Sequence, residues 1–485
     1  MTRLRFGSAF VATVLALPAG AQTTSLPAPV AQALAAAGIP EGAVSAYVQE
    51  IDGDRPSVAY FPDRALNPAS TIKLVTTYAA LDLLGPAYTW NTEVYARGAL
   101  QRDTLNGDLA LKGYGDPKLT LENFWLLLRN VRARGVKDIR GDLVLDRSYF
   151  AREEGDFSRF DDQPTRPYNT PPDALLVNYR AITVQFVPDT DSGRVRLVVE
   201  PSIPAVQVSH NVTLVDGPCG DWLSRLKIEP LGNATTARLA ISGSYPRDCG
   251  ERQRSFSLLS HRGYVASLFG ALWQDLGGTW SGTVREEAVD PGAARLLATA
   301  KSPALSEVVR DVNKFSNNVM ARQLYLTLGA VAGGWPATAD KSKLTIQNWL
   351  AQKQIPAPEL VLENGSGLSR IERISAKSLA TLLLDAWRSP VMPEFVASLP
   401  LVAVDGTMRK RLGNADIAGR AHIKTGTLTG VRAIAGYVLD ARNVRQVVVF
   451  IVNHPNAAQA QAAQDALLKW VYDATAMPSR RRRDS

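Results

Sequence analysis

Histidine and cysteine are the scarce residues of this chain: four and two, respectively, in 485. His210, His261, His422 and His454 are scattered and no Cys-x-x-Cys occurs, so the ligand spacing of a zinc peptidase is missing. Neither a metal nor an organic cofactor is implied. Gly-x-Ser-x-Gly opening a helix is also missing, since Gly365-Ser366-Gly367 lacks the outer spacing; this argues against an α/β-hydrolase. No apolar run reaches the ~20 residues of a spanning helix. The run Phe6 to Leu17 follows Arg3 and Arg5 and leads to Pro18-Ala19-Gly20-Ala21. That is the three-part layout of an export signal over residues 1–21, cut after Ala21.

What remains is ordinary globular material, 46% hydrophobic and 21% charged, enough for two to four domains. Export predicts a location outside the cytoplasm, in the periplasm. In that oxidising compartment Cys219 and Cys249 can close a loop as a disulfide contributing about 3 kcal/mol; two buried thiols that never meet is the alternative. The net charge of +8, less Arg3 and Arg5 of the leader, is +6. Part of it sits in Arg480 to Arg483, in the basic tail 477–485. For an exported chain such a balance points to weak contact with anionic wall polymers or a membrane surface, or to a solvated tail with no partner, and not to nucleic acid.

Helical pattern is expected over Val30–Ala37, Thr71–Leu84, Leu121–Arg134, Gly263–Leu276, Leu305–Val312, Asn317–Gly329, Lys341–Lys353, Ser375–Ala386 and Ala458–Ala474. Strand pattern is expected at Ala43–Glu50 and 57–61, and again at Ala421–Lys424, Val431–Asp440 and Val444–Asn453. Between about 92 and 273 the texture is β-rich. The architecture predicted is α/β (α+β): a catalytic domain from residues 22–91 and 274–476, with β-rich domains inserted at 92–273.

Three short motifs carry chemistry: Ser70-Thr71-Ile72-Lys73, Ser316-Asn317-Asn318 and Lys424-Thr425-Gly426. Each alone is weak. Ser224-Arg225-Leu226-Lys227 and Ser209-His210-Asn211 match the first two patterns, but out of order and out of context. The chosen three stand in order, the first opening a helix and the third on a strand. A serine hydroxyl needs a base, and a lysine three residues on along a helix lies one turn up on the same face. Lys73 acts as base only when neutral, which requires burial or a neighbouring cation such as Lys424. Ser316 can relay a proton to the leaving amine, and the Asn318 amide can orient a peptide. Lys424 with Thr425 or Thr427 suits a terminal carboxylate, and Gly426 lets substrate lie close to the strand. The N–H groups of Ser70 and Thr427 are the expected oxyanion hole.

These motifs resemble the signature of the penicillin-binding protein and serine β-lactamase superfamily. The 242 residues between Lys73 and Ser316 narrow the resemblance to the class C low-molecular-mass penicillin-binding proteins, the D-alanyl-D-alanine carboxypeptidase/endopeptidase family. Further segments are similar to that family: Gly113-Tyr114-Gly115-Asp116-Pro117, Asp146-Arg147-Ser148-Tyr149-Phe150, Asn364-Gly365-Ser366-Gly367-Leu368-Ser369-Arg370, Asp405-Gly406-Thr407, and Gly426 to Val431. Tyr114 departs from a segment commonly richer in glycine. The resemblance implies a five-stranded antiparallel sheet flanked by helices with inserted domains. It implies action on peptidoglycan stem peptides through an acyl-Ser70 intermediate, and β-lactams as covalent inhibitors. It also implies a pocket for the stem peptide's diamino acid, formed by Asp146 and Arg370; a turn aspartate and a surface arginine are the plainer readings. The alternatives are a catalytically silent wall-binding protein, which retention of every motif residue opposes, and a β-lactamase, which the long insertion opposes.

Overall fold

The protein is described here by a computed structural model over residues 25–152 and 160–474. The expected leader and the Arg480–Arg483 tail lie outside the described residues. No helix among the described residues is long and apolar enough to cross a membrane.

The two ends of the chain build one antiparallel sheet, in the order Ala421–Leu428, Val431–Leu439, Arg445–Asn453, Val44–Glu50, Pro56–Tyr60. The central strand reads Gln-Val-Val-Val-Phe-Ile-Val and is buried on both faces, so it shows no polar alternation. The period of two decides which core each residue enters. Val447, Val449 and Ile451 face the helices Lys73–Leu84, Asn318–Gly333 and Ala376–Arg388. Val448, Phe450 and Val452 face Ala28–Ala36 and Gln461–Ala474. This is the α/β architecture expected from the ends of the chain, with the edge strand running on to Leu428 because Thr427 and Leu428 still pair with Arg432 and Val431.

Two further sheets lie between. One has seven strands, including the hairpin Asn91–Gln101/Thr104–Gly113, and is covered by Leu121–Ala133 and His261–Asp275. Its last strand, Arg295–Lys301, pairs with Asn91–Gln101, so the inserted sheet continues past residue 273 to Lys301. The other has six strands, all antiparallel except Ala237–Pro246 beside Val206–Val215, and Cys219 is joined to Cys249 at its side. The stray Ser224/Lys227 pair belongs to this second sheet: Ser224 Oγ donates to the Asp221 carbonyl, and Lys227 pairs with Glu229.

Candidate active site

Ser70 lies in a 3-10 turn, Ala69–Ile72, that runs directly into the helix Lys73–Leu84. Ala69 takes a left-handed φ of 45°, an uncommon conformation for a residue with a side chain. The strain is braced from three directions. Asn67 Oδ1 accepts from the Ala69 N–H (2.9 Å), Asn67 Nδ2 donates to the Ser369 carbonyl (2.8 Å), and the Asn67 N–H donates to Asn453 Oδ1 (2.9 Å). The nucleophile loop is thereby tied both to the central strand's end and to the Asn364–Arg370 segment.

Lys73 is fully buried, its Nζ 2.9 Å from Ser70 Oγ and 2.6 Å from Asn318 Oδ1, with a further hydrogen bond to the Ser366 carbonyl. Burial holds its amine well below the usual lysine range; the Lys424 charge pushes the same way, while Glu372 opposes and Arg322 adds to the lowering. Lys424 is also fully buried, donating to Ser316 Oγ (2.8 Å) and to the Thr425 carbonyl (2.8 Å), and burial brings it down to about 7.

Ser316, at φ 55°, sits in the turn between the helices Leu305–Lys314 and Asn318–Gly333. Asn317, not Ser316, caps the second helix by accepting from the Met320 N–H at 3.1 Å, which leaves the serine hydroxyl free to face Lys424. Asp405 and Gly406 buttress the turn. Asp405 pairs with Lys314 at 2.6 Å, and Gly406, at φ 55°, lies so close to the Lys314 carbonyl that a Cβ would meet it at 2.6 Å.

All three motifs therefore meet. Two details differ from the sequence reading. At Gly426 the close approach is made by the protein itself: a Cβ there would lie 2.6 Å from the Pro68 carbonyl and 3.2 Å from the Ser70 nitrogen. Thr425 Oγ1 turns to Thr407 Oγ1 (2.8 Å), while Thr427 lines the cleft with its hydroxyl oxygen accepting from Arg432 (2.8 Å).

Ser316, Asn318 and Thr427 open onto a cleft of about 620 Å³, which Arg370, Phe160 and Asp161 also line. Arg370 is exposed, stacks on Phe160 at 4.6 Å and donates to the Thr429 carbonyl (3.1 Å). Asp146 is not among the residues lining this cleft. It is buried in the inserted sheet, accepting from Lys112 (2.5 Å), the Ser148 hydroxyl (2.6 Å) and the Val289 N–H (2.9 Å), and these donors hold its carboxyl below the usual range against desolvation. Among the described residues that line the cleft the acidic one is Asp161, oriented by Tyr168 (2.5 Å) and Asn169 (2.7 Å). Nothing in its local sequence separates it from the aspartates around it. Ser366 and Glu372 were also missed as individual residues, although Ser366 falls inside the Asn364–Arg370 segment.

A family profile described as D-Ala-D-Ala carboxypeptidase 3 (S13) matches residues 26–473, nearly the whole described chain. The chain belongs to that family. This S13 member is thus a serine-type D-Ala-D-Ala carboxypeptidase by descent. It is 31% identical over 450 residues to a D-alanyl-D-alanine carboxypeptidase of Actinomadura sp. (strain R39), covering 88% of this chain and 81% of that one. It is 25% identical over 418 residues to the D-alanyl-D-alanine carboxypeptidase DacB of Haemophilus influenzae, covering 86% of each. The crystal structure of penicillin binding protein 4 from H. influenzae superposes with a TM-score of 0.74 at 24% identity, over 91% of this chain and 99% of that one, and shares the fold.

Proposed function

We propose that this S13 enzyme cleaves the D-alanyl-D-alanine amide of peptidoglycan stem peptides through an ester on Ser70, and that it works in the periplasm. The observation that carries the mechanism is the set of partners around Lys73. A neutral amine has two N–H bonds and one lone pair. Asn318 Oδ1 and the Ser366 carbonyl accept only, so they take the two N–H bonds and leave the lone pair for the Ser70 hydroxyl 2.9 Å away.

Ser70 Oγ attacks the penultimate D-alanine carbonyl as its proton passes to Lys73. The oxyanion is met by the N–H groups of Ser70 and Thr427. Collapse breaks the C–N bond, and Ser316 relays to the departing amine the proton that Lys73 took up, which leaves the lysine neutral again. Water then hydrolyses the ester and Ser70 regains its hydrogen. Lys424 and Thr427 receive the terminal carboxylate, and Asp161 with Arg370 receives a zwitterionic side-chain end, taking the role the resemblance implied for Asp146. Trimming a terminal D-alanine and cutting a cross-link present the same amide to Ser70, and both are proposed activities. The export-type leader and the Cys219–Cys249 bond support the periplasmic location.

Intact-mass spectrometry with benzylpenicillin, against a Ser70→Ala control, tests the acyl-serine. A stable adduct absent from the control is expected; an intact antibiotic with no adduct refutes the mechanism, and rapid antibiotic loss with no adduct marks a β-lactamase. Digestion of purified muropeptides then separates pentapeptide trimming from dimer cleavage.

A further inference from the structure

Glu372 is fully buried and lies outside the three motifs. One carboxylate oxygen accepts three consecutive backbone N–H groups, from Glu363 (3.2 Å), Asn364 (3.0 Å) and Gly365 (2.9 Å). The other oxygen is buried with no hydrogen-bond partner. The turn it pins leads directly into Ser366, whose carbonyl binds Lys73. The Glu372 N–H donates to Ser369 Oγ (3.0 Å), and the Ser369 carbonyl holds Asn67, the brace of the nucleophile loop. The Glu372 side chain thus organises the turn that presents an acceptor to the base, while its backbone N–H steadies Ser369 beside the nucleophile's clamp.

Its charge matters as well. The charged groups acting on Lys73 are Lys424 from the edge strand, Arg322 from the helix Asn318–Gly333, and Glu372 from this loop. The other partners of the amine, Ser70, Asn318 and the Ser366 carbonyl, carry no charge. Among the described residues whose charges act on Lys73 most strongly, Glu372 is the one that opposes the loss of its proton. Burial and the neighbouring Glu363 raise the Glu372 carboxyl above its ordinary range, whereas its three N–H donors favour the ionised form.

We propose that Glu372 is a positioning residue for Lys73: its carboxylate pins the turn that offers the Ser366 carbonyl to the amine, and its negative charge offsets the cations of Lys424 and Arg322, setting the lower pH limit of acylation. The proposal rests on the reading of Lys73 as the base. Without the counter-charge the amine loses its proton more readily and is competent at lower pH. The carboxylate touches neither Ser70 nor the cleft lining among the contacts of this site, so it acts through Lys73 and the turn.

The test is the second-order rate of acylation by a chromogenic cephalosporin from about pH 5 to 9, for the full-length enzyme, Glu372→Gln, Glu372→Asp and Lys73→Ala. The glutamine keeps one oxygen for the three N–H groups, removes the charge and puts an NH2 group where the unpartnered oxygen stood. Its acid limb is expected to move down by about half to one pH unit, while the alkaline limb, which follows Lys424, stays in place. Glu372→Asp keeps the charge but falls short of the turn, so its acid limb is expected to stay while its plateau falls roughly tenfold. An unmoved acid limb in Glu372→Gln overturns the proposal, as does a shift of both limbs together. Should the glutamine variant not fold, a displaced acid limb in Glu372→Asp overturns it equally. Lys73→Ala separates the two levels. Normal acylation by that variant sinks the base reading itself, whereas a dead Lys73→Ala beside an unmoved Glu372→Gln limb removes only the role of Glu372.

Discussion

Replacing Gly367 by alanine tests whether the support behind Ser70 is as tight as the structure draws it. Gly367 has φ 82°, and a Cβ built there lies 2.2 Å from the Ala69 carbonyl oxygen, 2.4 Å from its carbon and 2.6 Å from the Ser70 nitrogen. Real Cβ contacts do not fall below 3.0 Å, so one of two backbones must give by at least 0.8 Å. Neither can do so by rotating a side chain. The left-handed φ costs a substituted residue about 1–2 kcal/mol, and overpacking adds about 1–3 kcal/mol, so a loss of about 2–5 kcal/mol in unfolding free energy is expected. A displacement near 1 Å of an attacking atom costs about 100-fold in rate, which sets the expected fall in acylation. Gly193→Ala is the matched control: φ is 65° with nothing within 4 Å, so it carries the conformational cost without the clash. Chemical denaturation and cephalosporin acylation measured on both variants decide the matter. A Gly367→Ala enzyme within about 1 kcal/mol of Gly193→Ala and acylating as fast would refute the packing argument.

Lys424 releases its proton from about 7 when folded and from 10.5 in its ordinary state. The unfolded chain therefore binds more protons between those values, and stability rises with pH across that window and is lowest below it; denaturation series should show this slope, and Lys424→Met should flatten it. The same titration predicts that KM for a substrate with a free terminal carboxylate rises above about pH 7, with no such rise for the carboxamide analogue; parallel behaviour of the two would exclude Lys424 from carboxylate binding. Asp146→Asn strands Lys112 in a largely buried pair and should cost about 3–5 kcal/mol in denaturation without changing side-chain preference. Asp161→Asn should instead lower kcat/KM for substrates with a zwitterionic side-chain end by roughly tenfold relative to substrates without it. The reverse pattern would restore the pocket to Asp146. Replacing both Cys219 and Cys249 by serine opens a loop with a sequence separation of 30 and should cost about 3–4 kcal/mol, with acylation per folded molecule unchanged; equal denaturation midpoints would show that the bond adds nothing.

The parts of the site that were legible in sequence are those in which neighbours along the chain are neighbours in space. Ser70 and Lys73 share a helical turn, Ser316 and Asn318 span one cap, and Lys424 to Thr427 share a strand, so spacing alone carried their chemistry. The terminal strands were legible for a related reason: a buried run such as Gln446 to Val452 has few other uses. The inserted strands were harder: Val206–Val215 does alternate, Val206, Val208, Val212 and Leu214 against polar neighbours, but half of its positions are exposed and its first apolar ones are only partly buried. Least legible was whatever acts across the chain. The Ser366 carbonyl meets Lys73 across 293 positions, and Gly367 meets Ala69 across a similar span; a carbonyl has no letter of its own, and a glycine does not announce what approaches it. Asp146 shows the same gap between chain and space: its neighbours in sequence resemble a family segment, while its partners Lys112 and Val289 come from elsewhere in the inserted region. It follows that residues 364–372, which contain no expected nucleophile or base, should be as intolerant of substitution as the three motifs, because Lys73 is held by Ser70 of its own turn and by Asn318 and Ser366 from two distant segments, and loosening the last leaves the amine free to turn its lone pair from the serine.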